Sequence, residues 1–97
     1  MTVFIAKLVV AEGREDDFER LQTELSELSH ASEPGTIVYD VLRASETPGE
    51  YVVYARFKDQ AAFDFHQGTD FHTRLVPPIL DCLGDAEMEL TFYDFIA

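Results

Sequence analysis

The stretch Tyr51–Pro78, YVVYARFKDQAAFDFHQGTDFHTRLVPP, runs from an apolar strand into helical segments and sets one histidine, His66, among phenylalanines. Tyr51 to Lys58 is rich in β-branched and aromatic residues and reads as a strand. Asp59 can cap a helix over Gln60 to Gln67, because a short side-chain oxygen there accepts from the orphan amides of the first turn. Gly68 breaks that helix, Thr69 or Asp70 can cap another, and Phe71, Leu75, Ile79 and Leu83 mark one face at i, i+4 spacing. Pro77 and Pro78 each lack an amide hydrogen and disfavour helical geometry in the preceding residue, which predicts two short pieces meeting near Val76.

Upstream, Thr2 to Val10 is apolar and β-branched apart from Lys7 and reads as a first strand, ending at Ala11-Glu12-Gly13. From Arg14 to about Ser29, Phe18, Leu21, Leu25 and Leu28 recur at helical spacing, with Glu15, Asp16 and Asp17 near the positive end of the dipole. His30 then answers the negative end. Glu33-Pro34-Gly35-Thr36 and Thr47-Pro48-Gly49-Glu50 place proline second and glycine third, the arrangement of a type II turn. Between them Ile37 to Arg43 reads as a strand that pairs with Tyr51–Lys58 as a hairpin. Ala86 to Ile96 is the last strand.

The order is β-α-β-β-α-β with a split second helix: an α+β, ferredoxin-like pattern with both helices on one face of an antiparallel sheet. Strand one directs Phe4, Ala6 and Leu8 one way and Val3, Ile5 and Val9 the other; strand two divides Ile37, Tyr39 and Val41 from Val38 and Leu42. Helices can cover only one of two apolar faces, so a second copy is the expected cover and the chain reads as half of a homodimeric barrel.

Ninety-seven residues fit one domain, 1–97, whose core is thin, since a chain of this length buries only roughly 60 to 65% of its unfolded surface. A net charge of −12 disfavours nucleic acid and anionic lipid as partners. No long apolar run or signal-peptide pattern is present, so a soluble, cytoplasmic protein is expected. Cys82, beside Leu80 and Leu83, reads as a buried thiol.

Chemistry is sparse. Ala62, Phe63 and His66 share the inward side of their helix, where an imidazole can bind or deprotonate a phenolic or enolic hydroxyl, or else pack as a hydrogen-bonded core residue. His72 and Phe71 begin the next piece, at the mouth of the same cavity or, for His72, in solvent. Asp64 and Glu19 read as solvated helix positions; Tyr39, Tyr54, Arg43 and Arg56 are pocket groups or ordinary sheet residues. There is no glycine-rich phosphate loop, no Cys-His metal spacing and no nucleophile motif. A His66→Ala change is expected to cost only ~1 to 2 kcal/mol.

Nearly the whole chain resembles the antibiotic biosynthesis monooxygenase family. The resemblance rests on Val9 to Phe18 with Gly13, Glu33-Pro34-Gly35 before strand two, Tyr54 to Asp59, and Ala62-Phe63 followed by His66, in that order and spacing. It implies a dimeric α+β barrel and, as in some members, oxygenation of a phenol or quinol by molecular oxygen without metal, flavin or haem. Other members isomerise small phosphorylated sugars, degrade haem or have no known substrate. An isomerase of a small carbonyl compound and a non-catalytic dimeric ligand-binding protein are therefore the alternatives. The haem-degrading branch is less similar, having asparagine where Ala6 stands and tryptophan where His66 stands. The resemblance implies His66 as the catalytic residue and Phe63 and Phe71 as apolar, substrate-binding walls; His72 joins them as a substrate-binding candidate only through its position at the start of the next helical piece. The chain departs from typical members at Ala55, where many have glutamate, and at Thr69-Asp70-Phe71-His72, where the second histidine is shifted by one place. A one-place shift on a helix rotates a side chain by roughly 100°, enough to turn His72 out of the pocket unless the helix start is irregular.

Overall fold

Tyr39, Tyr51, Val53, Ala55 and Phe57 on the central hairpin bury their side chains on the same face as Phe4, Ala6 and Leu8, and this alternation sets the architecture. The computed structural model describes all residues, Met1–Ala97. Its elements are β1 (Thr2–Val9), α1 (Glu15–Ser32), β2 (Thr36–Arg43), β3 (Glu50–Phe57), α2 (Gln60–Gln67), α3 (Asp70–Asp81) and β4 (Glu89–Tyr93). The sheet is antiparallel in the order β2-β3-β1-β4, the ferredoxin-like α+β arrangement expected from the sequence. No helix is long and apolar enough to cross a membrane.

Local chemistry accounts for most boundaries. The Asp59 carboxylate accepts from the Ala62 amide at 2.9 Å, and the Thr69 hydroxyl accepts from the His72 amide at 3.2 Å, so both expected caps form. Helix α1 runs on to Ser32 and stops only where Pro34 holds Glu33 extended, at φ −111° and ψ 106°. β4 is shorter than the expected 86–96, with five residues at the sheet edge.

Several expectations need correcting. The two prolines do not split α3, which is continuous through Pro77 and Pro78. The break expected at Gly68 is present, and it is the only one between Gln60 and Asp81. Pro77, Pro78, Thr73 and Arg74 are all exposed, so the carbonyls that lose their helical donors face water, while Leu75 and Ile79 keep the buried face packed. In β2 a bulge between Thr36 and Val38 shifts the register, leaving Ile37 exposed instead of aligned with Tyr39 and Val41. Glu19 is solvated, as expected, but also has partners: it accepts from the Tyr51 hydroxyl at 2.5 Å and from Arg43 at 3.0 Å. The Tyr51 hydroxyl in turn holds the Glu19 carboxyl below its ordinary range, and burial together with Glu19 pushes Tyr51 up to about 12. His30 also does more than answer a helix dipole. Its Nδ1 bonds the Ser26 carbonyl at 2.9 Å and its Nε2 accepts from the Tyr39 amide at 3.2 Å, while the Ser26 hydroxyl donates to the Tyr39 carbonyl. Together Ser26 and His30 tie α1 to both polar backbone groups of one residue on an edge strand.

The two proline-glycine turns differ. Gly49 has φ +80° and the Glu50 amide donates to the Thr47 carbonyl, as a type II turn requires. Gly35 has no positive φ, so the expected type II geometry is absent there. Glycine is needed at 35 for another reason: a Cβ would collide with the Cβ of Ala62 on α2.

A Gly35→Ala substitution is expected to destabilise the fold by about 1–3 kcal/mol through overpacking. Ala62→Gly alone should cost about 1 kcal/mol of helix propensity. Made together, the two should cost less than the sum of the single changes, because the collision is gone. Urea denaturation of the three variants measures the difference, and additive losses would contradict the close approach.

Candidate active site

Helix α2 is amphipathic over barely two turns, and its inward side carries Phe63 and His66 one turn apart. Phe63 meets Phe4, Phe57 and Phe92 with ring centroids 6.0, 5.3 and 5.5 Å away. His66 lies beyond this cluster, against Phe57 at 5.1 Å and Tyr39 at 5.5 Å. Its side chain is almost wholly buried.

Between the sheet and the helices lies a cavity of about 220 Å³. Phe4, Ala6, Leu8, Tyr39 and Val53 form the sheet wall; Gln22 and Leu25 from α1, Phe63, His66 and Gln67 from α2, and His72, Val76 and Ile79 from α3 form the other. Leu80, Met88 and Leu90 line it too, and all three are partly exposed. Twelve of the sixteen lining residues are hydrophobic, which makes the few polar groups decisive for what binds.

Those polar groups are organised. His66 Nδ1 lies 2.9 and 3.0 Å from the two carboxyl oxygens of Glu33, with the Ser29 hydroxyl at 3.5 Å. The Tyr39 hydroxyl donates to Gln22 Oε1 at 3.0 Å. Burial, with the nearby Glu33 charge, pushes the Tyr39 hydroxyl well above its ordinary value, so it stays a neutral donor. No three His, Cys, Asp or Glu side chains converge on a point that could hold a metal ion.

The structure places the sequence candidates unequally. Phe63, His66 and His72 line the cavity together. Phe71 does not line it; it packs, partly buried, against the hydrophobic core. His72 is turned inward despite its shift by one place: it is half-buried, with its ring 4.9 Å from that of His66 and nearly perpendicular to it. The reason is the helix start, which Thr69 caps, so that His72 sits in the first turn at an orientation set by the cap. Desolvation, and then the neighbouring His66, push the His72 imidazole below its ordinary value, with Glu33 opposing.

Glu33, Ser29 and Gln22 were not singled out from the sequence, where Glu33 reads only as a turn residue. A signal for two of them exists. Phe18, Gln22, Leu25 and Ser29 fall on one buried face of α1, and a polar side chain on an apolar face asks for a partner. Cys82 is buried as expected, with Arg14 donating to its sulfur at 3.6 Å.

Comparison with known proteins agrees with the fold. The sequence model of a family described as antibiotic biosynthesis monooxygenase matches residues 1–77. A crystal structure from Caulobacter crescentus, provisionally named an antibiotic biosynthesis monooxygenase, is similar with a TM-score of 0.91 and 24% identity over 99% of this chain and 90% of its own. One from Nitrosomonas europaea, named in the same provisional way, has a TM-score of 0.92 and 21% identity over the whole of both chains. At these identities the likeness speaks for the fold alone. A conserved protein from Methanosarcina mazei gives 0.87 and 28% identity over 95% of this chain and 89% of that one. No curated protein matches.

The placement of His72 has a measurable consequence. Because the folded protein protonates it less readily than its ordinary 6.5, the unfolded chain takes up that proton first as pH falls. Its contribution to stability is therefore intact above about pH 6.5 and is lost as pH falls from there through the lower folded value. Urea midpoints measured between about pH 8 and about pH 5 should fall more steeply for the wild type than for His72→Gln. Parallel curves would mean that His72 is solvated.

Proposed function

We propose that this chain, which belongs to the antibiotic biosynthesis monooxygenase family, is a monooxygenase that oxidises a small phenolic or quinol-type aromatic with molecular oxygen. One observation carries the reading: a buried histidine, hydrogen-bonded through one ring nitrogen, stands in the wall of an apolar cavity. The volume of about 220 Å³ falls below the roughly 300–1,000 Å³ of sites for drug-sized ligands, which suits one or two fused rings.

The chemistry asks three things of the protein: to bind the ring, to deprotonate its hydroxyl, and to exclude water. His66 takes the hydroxyl proton. The resulting phenolate is electron-rich and passes electrons to oxygen, which bonds to ring carbon. Overall a naphthohydroquinone and O₂ become a hydroxynaphthoquinone and water, and the substrate supplies all four electrons that reduce O₂. No further cofactor enters that balance. His72, whose imidazole burial favours in the neutral form, adds a second histidine to the same wall, and Phe63 an aromatic surface for the substrate ring.

An isomerase acting on a phosphorylated sugar is less well supported, because no lysine or arginine lines the cavity and an anionic phosphate would enter it unpaired. The reading also includes a homodimer. The sheet face away from the helices carries Ile5, Val9, Val38, Leu42, Val52 and Tyr54, interrupted by Lys7, Asp40 and Arg56, and Val9 and Leu42 are about half exposed. A second copy packed there would bury on the order of 1,200–2,000 Å². Sedimentation is expected to give twice the monomer mass; a persistent monomer at micromolar concentration would reject this part.

Oxygen uptake with a panel of naphthoquinols tests the reaction. The wild type should consume oxygen, and His66→Gln should lose about 10²- to 10⁴-fold of the rate, the usual contribution of a positioned acid or base. Glutamine is preferred to alanine because Glu33 would otherwise be left buried and unpaired, at a cost of about 3–5 kcal/mol in place of the ~1 to 2 first expected. His72→Ala should also slow turnover, since His72 lines the cavity. Tight binding of a quinol without oxygen uptake would turn the assignment to a ligand-binding protein.

A further inference from the structure

We infer that Glu33 is a positioning residue for His66: its buried carboxylate holds the hydrogen of the neutral ring on Nδ1, leaves Nε2 to the cavity, and stabilises the imidazolium formed when Nε2 takes a proton. The inference rests on the proposed deprotonation of a phenolic substrate and adds the group that makes His66 a directed base.

The geometry is closed on the Glu33 side. The two side chains are 3% and 1% exposed, so water cannot replace either partner. Glu33 Oε1 also accepts from the Thr36 hydroxyl at 2.5 Å, and both its oxygens lie within 3.0 Å of His66 Nδ1. A carboxylate has no hydrogen to give, so a bond between it and Nδ1 requires the hydrogen to sit on Nδ1. Every hydrogen bond of the His66 ring is made at Nδ1. Nε2 keeps its lone pair and has no partner within the protein.

Proton transfer then has one direction. The substrate O–H bond breaks with its electron pair staying on oxygen, an N–H bond forms at Nε2, and the positive ring faces a negative carboxylate held at hydrogen-bond distance. In a site this poor in water, that fixed charge replaces what solvent would supply. The other titratable groups facing His66 are His72 from α3 and Tyr39 from β2. Burial favours the neutral form of both, so neither supplies a competing charge near neutral pH.

Nitrogen NMR of the three histidines, combined with Glu33→Gln, tests the role. In the wild type the neutral His66 ring should carry its hydrogen on Nδ1. In Glu33→Gln, folded by circular dichroism, His66 should titrate at lower pH than in the wild type. The acid limb of its kcat/KM profile should move the same way, with kcat down by about tenfold or more and KM little changed. A wild-type ring with its hydrogen on Nε2 overturns the inference without any variant. So does a folded Glu33→Gln protein whose His66 titration and pH profile are unmoved. If the wild type turns over no quinol but the tautomer and its dependence on Glu33 hold, the oxygenase reading fails and the positioning role stands.

Discussion

Glu33 and His66 lie 33 positions apart in the chain and are each almost wholly out of water, so each requires the other. A carboxylate buried alone would cost several kcal/mol, and the fold avoids that only if the end of α1 and the inward side of α2 are held within hydrogen-bonding distance. Two local features make this possible. Pro34 stops α1 and keeps Glu33 extended. Gly35, lacking a Cβ, lets the turn lie directly against Ala62, and Ala62 is one helical turn before His66. The residues that set the spacing are thus small or rigid, and chemically silent.

The cavity follows from where the large side chains go. Phe4, Phe57, Phe63 and Phe92 gather in edge-on pairs and one stacked pair, Phe4 on Phe57, at one end of the sheet, while Phe18 lies tilted against Tyr51 at 4.6 Å near the other. What lies between is covered by α1 and α3 through Leu25, Val76 and Ile79, which do not fill it. Two of the polar groups in its wall are already bonded, Tyr39 to Gln22 and His66 to Glu33, so an apolar ring entering the space would leave those bonds intact at little desolvation cost.

Polar side chains elsewhere secure the elements that frame this space. Ser26 and His30 hold the edge strand β2 to α1 through the backbone of Tyr39, the residue whose ring packs on His66. Glu19, Tyr51 and Arg43 join α1 to the opposite end of the hairpin. α1 is therefore fixed at two places along the sheet, and Gln22, between them, is presented to the cavity in one orientation.

Element order, both helix caps, the inward side of α2 and the interior position of His66 were legible in the sequence, because each depends on neighbours within about one turn or one turn-forming tetrapeptide. The α3 prolines misled for an instructive reason: local rules count the lost hydrogen bonds but not that the freed carbonyls face water. The bulge at Ile37, the inward turn of His72 and the withdrawal of Phe71 from the cavity were likewise settled by packing and by the cap at Thr69. The sequence by itself determined a ferredoxin-like α+β fold and one histidine inside it. Only the tertiary structure decided that Glu33 is that histidine's partner, because a hydrogen bond across 33 residues leaves no periodic trace in the chain and exists only once the sheet has brought two helices together.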